Sequence, residues 1–353
     1  MSPHGKKQCI LLAYLDSGRE WKPEDVCAYP LTHICYAFAR IEDGEVTAKH
    51  FKRLERLQKI RELRPDIRIL LSIGGWTADG FSDAALTAES RALFVSTTKQ
   101  VLQEYGFEGV DMDWEYPGSD QAGIKARKED KQNFTFLMQE LRTMLDGLPL
   151  PNGKRALLTT ALGAGQRRID EIEVDKVIPL FDFINVMTYD MTTSSRRTRH
   201  HTNLYSPSYD PQQISLAKET ELLKQAGFPS EKIVLGGAFY GRVWNNVHNE
   251  GTGLFADSEQ EVANFEDYRF LAAGQLKDPS FKQYWDDSAC APYLFNGSTF
   301  ISYDNERSMK EKIEFAVKEK LGGFMFWEFS LDDTHTLIRA LSEAVRNNYP
   351  PQG

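Results

Sequence analysis

The feature that most constrains this chain is a repeated alternation of short, apolar, β-forming runs with longer segments of helical periodicity. Strand-like runs lie near Gln8–Tyr14, His33–Ala39, Arg68–Ser72 and Gly109–Asp113, and again near Leu157–Leu162, Phe183–Thr188, Ile233–Ala238 and Gly323–Phe326. Between them, apolar residues recur at three- and four-residue spacing, the mark of a helix with one buried face. One such face is Phe51, Leu54, Leu57, Ile60 and Leu63; a second carries Leu93, Phe94, Val101, Leu102 and Tyr105; a third is Phe134, Leu137, Met138, Leu141 and Leu145. Strands that alternate with helices pair in parallel, with the helices covering the sheet. Eight such units predict an α/β fold, a closed (β/α)8 TIM barrel, with reactive groups gathered where the strands end. An open, doubly wound sheet is the rival arrangement.

The rhythm breaks between Gly241 and Tyr303, a stretch rich in glycine and aromatics, among them Trp244, Phe265, Phe270, Trp285 and Phe300. Sixty residues are too many for a bare loop in a compact fold. The segment is therefore expected to form a small α+β insertion between strands seven and eight. The division that follows is a barrel of residues 1–240 and 304–353 and a module of 241–303.

Composition narrows the partners. Of 353 residues, 41% are hydrophobic, enough for a large core, and the formal net charge is -9 with the acids dispersed. A nucleic-acid partner calls for a basic face to neutralise phosphates, so this balance speaks against one and suits a neutral polymer such as a glycan. No run approaches the ~20 apolar residues of a membrane span, so no membrane partner is expected. Cys9, Cys27, Cys35 and Cys290 form no metal-ligand spacing, and Cys9 and Cys35 read as buried free thiols. The apolar run at Gln8–Tyr14 is strand-length, too short for a secretion signal and its cleavage site.

The stretch Glu108-Gly109-Val110-Asp111-Met112-Asp113-Trp114-Glu115-Tyr116-Pro117-Gly118 carries the chemistry. Alternate residues of a strand share a face, so Asp111, Asp113 and Glu115 would line the barrel interior and Val110, Met112 and Trp114 the outside. Spacing alone is weak evidence: at this acid content, three acids at i, i+2 and i+4 arise about once by chance. Glu171-Ile172-Glu173-Val174-Asp175 is a second instance, read as a solvated helix end. The first triplet differs by lying in an apolar β-forming run, which forces carboxylates together out of water. Such a cluster can hold a metal, be purely structural, or keep one carboxyl protonated at neutral pH for acid/base work. Without a nearby histidine, and with one strand offering poor octahedral geometry, acid/base work is the reading preferred, with no metal and no cofactor.

At this point the sequence resembles the family 18 glycoside hydrolases, the chitinase family. Its D-G-x-D-x-D-x-E signature is matched by Glu108 to Glu115, with Glu108 in place of the first Asp. Ser72-Ile73-Gly74-Gly75, Met187-Thr188-Tyr189-Asp190, Phe239-Tyr240-Gly241-Arg242 and Gly322-Gly323-Phe324-Met325-Phe326-Trp327 resemble the family's segments on strands three, six, seven and eight, in order. The resemblance implies substrate-assisted, retaining hydrolysis of chitin or chitooligosaccharides. Glu115 would be the acid/base, Asp113 would orient the acetamido group, Asp111 would share a proton with Asp113, and Tyr189 would bind the acetamido oxygen. Trp327 would floor the site, with Met187, Asp190 and Arg242 around it. Tyr116, Trp76, Gly75, Tyr14 and Phe38 resemble subsite residues, with plain core packing as the alternative for Tyr14 and Phe38. The insertion would deepen the cleft. A peptidoglycan N-acetylglucosaminidase and a catalytically silent lectin are the alternative functions. A monomer is expected, acting extracellularly because chitin is insoluble, with a cytoplasmic location as the alternative. His200-His201, beside Arg196, Arg197 and Arg199, reads as a solvated basic turn.

Overall fold

The computed structural model describes residues 9–151, 153–248 and 251–348. Eight parallel strands form the barrel: β1 (Ile10–Asp16), β2 (His33–Glu42), β4 (Arg68–Gly74), β5 (Gly109–Asp113), β6 (Leu157–Gly163), β7 (Phe183–Met187), β8 (Ile233–Ala238) and β14 (Gly323–Trp327). Each pairs with its neighbours in chain order, and β1 pairs with both β14 and β2, so the sheet closes. A short β3 (Glu45–Thr47) adds an antiparallel hairpin to β2. The strands lie where periodicity placed them, differing by a few residues at the ends; Gln8 lies outside the described residues.

The two faces of each strand bury different things. Leu11, Ala13 and Leu15 of β1, Ile69, Leu71 and Ile73 of β4 and Val110 and Met112 of β5 face the helices in one large core. Leu12, Tyr14, Cys35, Ala37, Leu70, Phe183, Met187, Val234 and Met325 fill the barrel itself. Layers of such side chains make the barrel a packed core, with the cleft opening at the strand ends. The helices seal the outside. Helix α2 (Leu54–Leu63) buries Leu57 and Ile60 but leaves Leu63 exposed. Helix α4 (Ala88–Tyr105), opened by a Thr87–Ser90 capping box, buries Phe94, Val101 and Leu102. Leu93, expected on that buried face, is exposed, because the helix's apolar arc is narrower than its sequence suggests. Helix α5 (Asp130–Asp146) buries all five expected residues. The cysteines are free thiols, with Cys9 and Cys35 buried.

Between β8 and β14 in sequence lie β9 (Tyr240–Trp244), β10 (Asn264–Asp267), β11 (Lys282–Asp286), β12 (Ala291–Phe295) and β13 (Phe300–Ser302), which form a separate antiparallel sheet in the order β10-β9-β13-β12-β11. Trp244, Tyr293, Phe295 and Phe300 pack into a core of its own.

One expectation fails here. Arg199, His200 and His201 are buried rather than solvated, while Arg196 and Arg197 of the same loop are exposed. The loop from β7 runs beneath the antiparallel sheet, and each buried group meets a polar partner there: Arg199 bonds Asp210, His200 Nε2 lies 3.1 Å from Asp286, and the His201 backbone N–H donates to Ser302. A basic sequence run cannot report that another element covers it.

Candidate active site

Asp111, fully buried, lies at the bottom of the site. Tyr14 of β1 and Ser72 of β4 donate to its Oδ2 (2.8 and 2.9 Å); Thr159 of β6 and Asn185 of β7 donate to its Oδ1 (2.7 and 3.0 Å). Four donors from four strands occupy the acceptor sites of the carboxyl and leave no lone pair for a metal ion.

Asp113, one pleat higher, is buried, and its Oδ1 meets no hydrogen-bond partner among the described residues. Burial, then the charges of Glu115 and Asp111, raise its pKa well above the ordinary carboxylate range. Glu115, just past the strand end, is held at about 7. Burial is the main cause. A hydrogen bond from Tyr116 and the charge of Arg168 pull the other way, and the charge of Asp190 adds to the rise. A carboxyl half-protonated near neutral pH can both give and take a proton, which is what a general acid that later acts as base requires.

Around these carboxyls opens a cleft of about 910 Å³. Trp327 lies in it with Phe38 stacked beside it (5.3 Å between centroids, 16° between planes) and Tyr14 tilted against it at 5.6 Å. Asp190 receives both Nε and Nη2 of Arg242, at 2.7 and 2.5 Å, and His201 Nδ1 lies 3.3 Å away. Burial alone would raise the Asp190 pKa, but bonds from His201 and Arg242 hold it well below the usual range. Of the expected site residues, Asp113, Glu115, Tyr189, Trp327, Asp190, Met187, Arg242, Trp76, Tyr116, Tyr14 and Phe38 line the cleft. Asp111 and Gly75 do not. Gly75, at φ 91°, makes room for Phe38 instead, since a Cβ there would fall 2.8 Å from the ring. Tyr14 belongs to the barrel core as well as lining the cleft.

Sequence reasoning missed several lining residues: Gln121, Arg168, Met191, Tyr240, Val262 and Phe265. Arg168 follows β6 closely, and the rule that barrel chemistry sits after strand ends could have flagged it. Val262 and Phe265 come from the antiparallel sheet's segment, where no local pattern marks a cleft wall. The departure at Glu108 lies away from the cleft, with its carboxylate paired to Arg68 (2.9 Å) and bonded to the Ile69 N–H.

The strand ends of a closed barrel thus gather buried carboxyls into an aromatic cleft. The family model for glycosyl hydrolases family 18 matches residues 10–332, and the chain belongs to that family. The chain is 36% identical to chitinase A1 of Niallia circulans, over 82% of this chain but only 44% of that protein's length. It is 30% identical to mouse chitotriosidase-1, over 92% of this chain and 73% of that one. Among solved structures, a family 18 N-acetylglucosaminidase from Paenibacillus barengoltzii superposes with a TM-score of 0.91 at 40% identity, covering 96% of this chain and all of that one.

Proposed function

We propose that the protein hydrolyses β-1,4 linkages between N-acetylglucosamine units of chitin and chitooligosaccharides, with retention of configuration and with the substrate's own acetamido oxygen as nucleophile. The observation that carries the reading is Glu115 held near neutral pKa beside the buried Asp113, whose pKa is raised and whose Oδ1 meets no partner among the described residues. Glu115 protonates the glycosidic oxygen. The acetamido carbonyl oxygen attacks the anomeric carbon as its bond to the protonated glycosidic oxygen breaks and the leaving sugar departs, forming an oxazolinium ion; Glu115 then takes a proton from the water that attacks the anomeric carbon and opens it. Asp113 Oδ1 binds the acetamido N–H as positive charge develops there. Tyr189, whose hydroxyl is kept protonated chiefly by burial, donates to the acetamido oxygen. Asp111 shares a proton with Asp113 and lets it reorient. Trp327 floors the distorted ring, with Met187, Asp190 and Arg242 around it. Trp76, 54% exposed, offers a stacking face at the rim.

Residues 241–303 act as a module that walls the cleft, and the protein works outside the cell as a monomer. No helix among the described residues is long and apolar enough to cross a membrane. A second reading, release of single N-acetylglucosamine units, is favoured by the full-length match to the N-acetylglucosaminidase.

The test is incubation of the protein and its Glu115→Gln variant with chitohexaose, following product sizes and anomers. β-Anomeric chitobiose or chitotriose, absent with the variant, supports the first reading; β-anomeric monosaccharide from the outset supports the second. Full activity in the variant overturns the assignment of Glu115. Intact but bound oligomer points to a lectin or to another 2-acetamido glycan, with peptidoglycan tested next.

A further inference from the structure

Tyr116 directly follows the acid, and its hydroxyl lies close enough to the Glu115 carboxyl to favour the charged form. What fixes its ring comes from elsewhere in the chain. On one side is Gly163, the last residue of β6, whose missing side chain is a requirement: a Cβ there would lie 2.7 Å from Tyr116 Cε1 and 2.9 Å from its hydroxyl oxygen. Against the ring also lies the Arg168 guanidinium, 3.7 Å from the ring centroid and 8% exposed. A planar guanidinium on an aromatic face gains from both stacking and the ring quadrupole.

Arg168 is itself clamped. Its Nη1 donates to both oxygens of Glu171 (3.0 and 2.8 Å), and its Nη2 donates to Gln121. Arg167 also reaches Glu171 and, through Nη2, Ser119 (3.0 and 3.2 Å), tying this turn to the segment that follows Tyr116. Thus Glu171, expected to be solvated, has a side chain only 14% exposed and is engaged. The whole turn, α6 (Gln166–Asp170), is anchored at its start by the buried Glu219, which accepts the Gly165 N–H at 2.6 Å.

We propose that Arg168 is a positioning residue for hydrolysis: clamped by Glu171 and Gln121, it holds Tyr116 in a slot against Gly163, and Tyr116 in turn sets the place of the Glu115 carboxyl. The proposal rests on the reading of Glu115 as the acid. The ionisable groups acting on Glu115 are Tyr116, Asp190 and Arg168, with Asp113 coupled to it. Arg168 and the Tyr116 bond both favour the carboxylate, so losing either moves the Glu115 titration to higher pH.

The test uses Arg168→Met, which keeps the stem without the charge or fork, Arg168→Lys, which keeps the charge alone, and Gly163→Ala, which pushes the ring from the other side. Misplacing the acid by about an ångström costs about 10- to 100-fold in kcat/KM. Expected for Arg168→Met is a loss of that size on chitotriose, with the alkaline limb of the pH profile moved upward. Arg168→Lys should keep more of the limb position than of the rate, and Gly163→Ala should lose rate with Arg168 intact. A substrate-free readout, 13C NMR titration of the Glu115 carboxyl assigned with Glu115→Gln, should move upward in Arg168→Met. Wild-type rate within twofold together with an unmoved titration in Arg168→Met overturns the proposal. If the wild-type protein cuts no chitooligosaccharide, the functional reading fails separately, and the titration still decides the role of Arg168.

Discussion

Replacing Glu115 with Gln should make the protein dead and, at neutral and alkaline pH, more stable. The folded protein holds this carboxyl at about 7 against an ordinary 4.5. The folded state therefore binds the proton more tightly than the unfolded chain does. That linkage stabilises the protein fully below pH 4.5, and the contribution is lost as pH rises through 7. A rise of about 2.5 pH units at 1.36 kcal/mol per unit corresponds to about 3 kcal/mol. Glutamine does not titrate, so the stability of Glu115→Gln relative to wild type should grow by about 3 kcal/mol between pH 4 and pH 8. Asp113 works in the same direction, because the Glu115 charge is one cause of its own raised pKa. The assay is urea unfolding of both proteins at several pH values, with activity measured in parallel and expected to fall 10²–10⁴-fold in the variant. A stability difference that stays constant from pH 4 to pH 8 would refute the claim that Glu115 is strained by burial.

The same value predicts that wild-type kcat/KM falls about tenfold from pH 6 to pH 8, following the protonated fraction of Glu115 in a pH–rate profile. Tyr14→Phe removes one of the four donors to the buried Asp111 carboxylate, and should cost about 1.5–3 kcal/mol in denaturant unfolding. Lys312→Met strands the fully buried Asp304, which the Lys312 ammonium contacts at 2.7 and 2.6 Å, and should cost about 3–5 kcal/mol. Adding Asp304→Asn should recover part of that loss, since the uncompensated charge is then gone. Gly75→Ala should displace Phe38 from beside Trp327, lowering kcat/KM on chitotriose and the Tm together.

Much of this site was legible before any tertiary contact was known. The alternation of Val110, Met112 and Trp114 with Asp111, Asp113 and Glu115 assigned two faces to one strand, because side chains on an extended backbone alternate whatever surrounds them. The same reasoning located the barrel strands and the buried face of α5. Local periodicity is a property of the bonded chain, and water sorts its polar from its apolar side.

What local periodicity cannot carry is which strand ends lie side by side once the barrel closes. The four donors on Asp111 come from β1, β4, β6 and β7, and their meeting depends on the stagger between strands. Asp190 and Arg242 meet across 52 residues, and Arg168 reaches Tyr116 from the next barrel unit. Arg199, His200 and His201 became buried only because a second sheet covers their loop. The sequence thus determined the strands, their faces and the acidic triplet. Barrel closure decided which charges were paired, which were stripped of water, and so which carboxyls have raised pKa values, because desolvation and charge pairing act through space between groups the chain keeps far apart.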